Sequence, residues 1–180
     1  MESITGRPLP GEYAAYAEED VARVEGDDAV AALARQQEEV EALFGALDET
    51  SIAGFRYAPG KWTLKEILGH LIDDERIFAY RMLCVARGDA RPLPGFDEND
   101  YVAGANFEER PLRALIDEYG LTRRATIAFL RSLAAEAWLR RGNVNGYAAS
   151  VRGLAFHVAG HELHHLATIR ERYLQSLPQK

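Results

Sequence analysis

Four segments of this chain repeat their apolar residues at a helical period, and that limits the fold more than any other feature. Val30, Leu33, Val40, Leu43, Phe44 and Leu47 form one stripe over about residues 27–47. Leu64, Ile67, Leu68, Leu71, Phe78, Met82 and Val85 form a second over about 64–87. A third starts at Pro111, a good first-turn residue, and runs through Leu112, Leu115, Ile116, Tyr119, Ile127, Phe129, Leu130 and Leu133. Gly120 falls inside it, where a kink or split is expected. The fourth covers about 150–174, through Val151, Leu154, Val158, His161, His165 and Ile169. No run of alternating strands and no internal repeat is visible. The expected class is all-α, a four-helix bundle with a long crossover loop.

The second segment has the sharpest start. Thr63 and Glu66 make a capping box, and Trp62 and Ile67 make the flanking hydrophobic staple. Gly88 supplies the stop. Gly26-Asp27-Asp28 offers capping chemistry ahead of the first segment. Residues 89–109 are longer than a structural connection needs, and such loops serve either as lids and binding walls or as packed crossovers. The expected division is an N-terminal arm, 1–25, and a bundle domain, 26–176.

Composition removes several functional classes. The net charge of −7 argues against general nucleic-acid binding, which needs clustered cations. Arg123-Arg124 and Arg140-Arg141 are too small to reverse it. No apolar run approaches the roughly 20 residues of a membrane span. The first 25 residues are acidic and broken by Pro8 and Pro10, unlike a signal or transit peptide. Cys84 is the only cysteine, so no internal disulfide can form, and a reducing cytoplasm is the expected setting. It lies well along the second segment and is expected in the core.

The chemistry concentrates in the histidines. The fourth segment reads His157-Val158-Ala159-Gly160-His161-Glu162-Leu163-His164-His165. Residues four apart stack on one helix face, and two imidazoles so spaced can chelate one divalent metal. His161 and His165 share their face with Leu154, Val158 and Ile169, where titratable rings are costly unless something binds them. His157 is expected as a core or supporting residue. His164 points about 60° away from the 161/165 direction, as 3.6 residues per turn require, and is expected to pack or support. The letters H-E-x-x-H also fit a metalloprotease, but the extended motif would need Gly at 168 and His at 171, where this chain has Thr168 and Glu171. Glu162 points away from the ligand direction and is expected at the surface.

Two stretches then carry a resemblance. Gly60-Lys61-Trp62-Thr63-Leu64-Lys65-Glu66-Ile67-Leu68-Gly69-His70-Leu71-Ile72-Asp73 resembles the second-helix motif of the DinB-like superfamily, and Val151 to His165 resembles its last-helix motif. Phe96-Asp97-Glu98-Asn99 is similar to the connecting segment of the YfiT-type branch. The resemblance spans about residues 27–175. It implies a bundle in which His70, His161 and His165 bind one divalent transition metal, zinc or nickel, often in a homodimer. It also implies a small-molecule thiol as co-substrate in some members and metal-dependent hydrolysis in others.

The leading expectation is a metal-dependent S-transferase that passes a low-molecular-weight thiol of the bacillithiol type to small electrophilic substrates. The rivals are a hydrolase using metal-bound hydroxide and a non-enzymatic metal-binding stress-response bundle. Asp73 and Asp74 are candidates to orient a ligand imidazole or accept a proton, with a solvated surface as the alternative for Asp73. No catalytic residue beyond the metal ligands is assigned.

Overall fold

A computed structural model describes residues 6–177. The long helices are α2 (Ala29–Gly45), α4 (Leu64–Ala86), α6 (Leu112–Arg131) and α8 (Val151–Thr168). Short helices lie between and before them: α1 (Glu18–Arg23), α3 (Glu49–Ile52), α5 (Glu98–Ala105) and α7 (Ala135–Trp138). The all-α bundle expected from periodicity is the fold. The start signals act as read. Asp28 accepts from the Ala31 amide at 3.0 Å. Thr63 and Glu66 form a complete capping box at the head of α4. Gly120 does not split α6, which is continuous.

Two elements depart from the sequence reading. Strands β1 (Arg141–Val144) and β2 (Tyr147–Ser150) form an antiparallel hairpin, with Val144 paired to Tyr147. Its turn is Asn145-Gly146, with φ of 52° and 83°, the all-positive geometry that Asn-Gly favours. That dipeptide was the available signal for strands. The segment 89–109 also contains α5, capped by Asp97, so much of the expected loop is helical.

From Glu12 onward the chain runs along α8, and α1 packs against it. Two glycines of α8 make room. A β-carbon on Gly153 would overlap the Glu12 carbonyl, and one on Gly160 would overlap the Asp20 carbonyl. Arg7 donates to the carbonyls of Val21, Val24 and Gly26 at 3.0, 2.6 and 2.8 Å, closing the end of α1. Glu12 accepts from Ser150 and Arg152 at 2.7 and 2.6 Å, which ties the segment to the start of α8.

The apolar interior divides into two clusters. One gathers Leu33, Phe78, Met82, Ile127, Leu130 and Val158. The other gathers Val40, Leu68, Ile72, Ile116, Tyr119 and Leu166. Between them lies a polar layer, with Gln36, Glu75, Arg123 and Glu162 each contributed by a different long helix and all buried. Arg123 Nε donates to Glu75 at 2.9 Å, and its Nη2 donates to Glu162 at 2.7 Å. Its Nη1 donates to the Leu33 carbonyl at 2.9 Å. Gln36 Nε2 donates to the Ala159 carbonyl at 2.9 Å. Cys84 is buried, as expected.

Candidate metal centre

One turn from the polar layer, α4 and α8 bring three imidazoles together. His70 comes from α4, and His161 and His165 come from successive turns of α8. His161 Nε2 lies 3.4 Å from His70 Nε2 and 3.1 Å from His165 Nε2. One ring nitrogen from each residue lies within 4.8 Å of the other two. A tetrahedral zinc with bonds of about 2.05 Å would hold its ligand atoms about 3.3 Å apart, so the two measured separations fit a shared cation.

The electrostatics suit the same use. Burial and the neighbouring His161 push the His70 imidazole down to about 4. Burial and the same neighbour hold His165 well below its ordinary range. Both rings are therefore neutral near pH 7, the form that offers a lone pair to a metal. His161 differs. Burial would lower it, but Asp74 outweighs burial and raises it. Asp74 Oδ2 stands 3.4 Å from His161 Nδ1. That contact favours a proton on Nδ1, which leaves Nε2, the nitrogen nearest the other two rings, as the one a metal would take. Burial opposes ionisation of Asp74, yet His161 holds its carboxyl below the ordinary value.

The centre is not sealed. A cleft of about 290 Å³ opens beside His165, walled by Tyr57, Trp62, Ile67 and Tyr173 and edged by Lys61, Asn99, His164 and Thr168. Trp62 covers the histidines, its ring 4.8 Å from that of His70 and nearly parallel to that of His165. Tyr173 fixes this cover by donating its hydroxyl to the Trp62 carbonyl at 2.5 Å. Tyr173 is the last residue of a π-helical turn, Ile169–Tyr173, that follows α8. Asn99 brings the 89–109 segment to the cleft, as a binding wall would. Phe107, from the end of that segment, packs on Gly69, where any β-carbon would overlap its ring.

A family model described as the DinB superfamily matches residues 32–169. The chain belongs to the DinB superfamily. Among solved structures, this DinB chain is similar to YfiT from Bacillus subtilis, described as a probable metal-dependent hydrolase with an unusual four-helix bundle topology. That match has a TM-score of 0.74 at 15% identity and covers 94% of each chain. It is also similar to a mycothiol-dependent maleylpyruvate isomerase, with a TM-score of 0.65 at 13% identity over 99% of this chain and 68% of the other. At such identities the likeness concerns the fold. No protein of curated function matches the chain.

Within this DinB chain, the remaining candidates sort clearly. His157 is buried against Phe78 and Tyr16, with Nε2 3.8 Å from Asp20, and stands outside the three-ring group. His164 is exposed at the cleft rim rather than packed. Asp73 is half-buried, lies 3.5 Å from Arg76, and has its carboxyl raised by burial. Glu162 corrects the surface expectation. It does point away from the histidines, but into the core, where Arg123 and Tyr119 bind it. One position in sequence cannot distinguish an outward face from an inward one on a helix packed on several sides. The low contrast between the faces of α8 left no such signal.

Proposed function

We propose that His70, His161 and His165 hold one divalent transition metal, zinc or nickel, and that the protein transfers a low-molecular-weight thiol of the bacillithiol type to small electrophiles. The observation that carries this reading is the convergence of three ring nitrogens beside an open cleft. A metal held by three protein ligands keeps a position for a reactant, lowers the pKa of a thiol or water there, and polarises it. Asp74 keeps the His161 tautomer fixed. Trp62 and Tyr57 exclude water from one side of the cleft and offer flat faces to a substrate. His164, which lines the cleft rim, would take the proton released by an incoming thiol. The thiol comes from outside, because Cys84 is buried 14 residues beyond His70 on the same helix, roughly 21 Å along its axis.

Hydrolysis is the second reading, favoured by the description of the YfiT structure. Both readings assign the activity to the 26–176 bundle, with 1–25 as an N-terminal arm, in a cytoplasmic homodimer that binds small molecules and no nucleic acid. Among the described residues no helix is long and apolar enough to cross a membrane.

The test is elemental analysis of the wild type and His161→Ala, followed by a screen of thiols with electrophilic substrates. About one equivalent of transition metal, lost in the variant, and a thiol adduct as product support the transferase. Product formed without thiol supports the hydrolase. Absence of metal after reconstitution with zinc and nickel removes both.

A further inference from the structure

The polar layer across the bundle calls for an explanation beyond stability. Two carboxylates and one guanidinium sit in the core with side chains 1–2% exposed. Apolar residues of similar volume would often serve stability equally well or better, because removing such charges from water is costly. What an apolar layer lacks is register. Leucine and isoleucine surfaces tolerate sliding, whereas a buried guanidinium fork has one arrangement that satisfies all its partners. Here that fork reaches three other helices at once: Glu75 on α4, Glu162 on α8 and the Leu33 carbonyl on α2. Tyr119, one turn before Arg123 on α6, donates to the same Glu162 at 2.8 Å.

Each carboxylate adjoins a residue of the centre along its helix. Glu75 follows Asp74, and Glu162 follows His161. A slip of α4 against α8 by one turn, about 5.4 Å, would strand a buried charge and also pull His70 away from His161. We propose that Arg123, with Glu75 and Glu162, is a positioning device for the three-histidine centre. It fixes the register of α4 and α8 so that His70 meets His161 and His165 in a geometry ready for metal. This rests on the metal-binding reading above.

The probe is Co(II), whose ligand-field spectrum reports coordination and whose affinity can be read by competition with a chromophoric chelator. The main variant replaces the charges together with apolar residues: Glu75→Leu, Arg123→Met and Glu162→Leu. It is expected to fold, to bind Co(II) at least about tenfold more weakly than wild type, a loss of the size seen when residues supporting metal ligands are removed, and to show an altered spectrum. Measurement well below its melting temperature separates this from a change in stability, which alone would move neither readout. A folded triple variant with wild-type affinity and spectrum overturns the proposal.

If that variant does not fold, Arg123→Lys decides. It keeps the neutralising cation but not the fork, and wild-type Co(II) binding by it overturns the proposal in the same way. A wild type that binds no Co(II) overturns the three-histidine reading itself, and the positioning role with it.

Discussion

Gly160 and Asp20 touch backbone to backbone: the α-carbon of Gly160 faces the Asp20 carbonyl with no room for a β-carbon between them. This contact lets α1 lie on α8 at the level of the candidate centre, where Asp20 also faces His157. Gly160→Ala should gain helix propensity of up to about 1 kcal/mol but force α1 outward. A net destabilisation of about 1–3 kcal/mol is expected, with faster proteolysis between residues 6 and 24. Denaturant titration and limited digestion check it. An alanine variant as stable as wild type, with the segment still protected, would show that the backbone can give way.

Asp74 orients His161 through Nδ1. Asp74→Ala should leave all three histidines in place and still weaken zinc or nickel binding by about 10- to 100-fold, the usual effect of losing the partner of a ligand imidazole. Competition against a chelator at fixed pH measures this. Unchanged affinity would mean that His161 finds its tautomer without help.

Glu12 supplies a pH dependence remote from the histidines. Its hydrogen bond with Arg152 outweighs burial and, with Ser150 assisting, holds the carboxyl down at about 2, against an ordinary 4.5. A folded-state value below the unfolded one gives stability that is full above pH 4.5 and is lost as pH falls toward 2. The size is about 3 kcal/mol at most. Glu12→Gln should therefore be less stable than wild type at pH 6, with the gap narrowing steadily below pH 4.5 and closing only as pH falls through about 2. A gap independent of pH in urea titrations would rule out the linkage.

Tyr173 holds Trp62 over the cleft with one hydrogen bond. Tyr173→Phe keeps the ring packing on Phe55 and Tyr57 and should cost about 1 kcal/mol. The signature is a change in Trp62 emission, since Trp138 is buried elsewhere. Unaltered emission, compared with a Trp138→Phe background, would show that Trp62 is fixed by packing alone.

Sequence by itself determined the four long helices, because a 3.6-residue apolar period and capping chemistry such as Thr63 with Glu66 act within a few residues along the chain. It also singled out His161 and His165, since a spacing of four places two side chains on one helix face. Tertiary structure decided what depends on distant residues. His70 meets the pair only through the packing of α4 on α8. Glu162 is inward because Arg123, 39 residues away, is there to neutralise it. Glu12 and Asp20 lie on α8 because Gly153 and Gly160 face them, and a glycine in a helix carries no mark of what approaches it. The hairpin at Asn145-Gly146 was legible but short, and its strands lack the alternation that usually announces a sheet. Periodicity records which face is buried; it does not record which other face covers it.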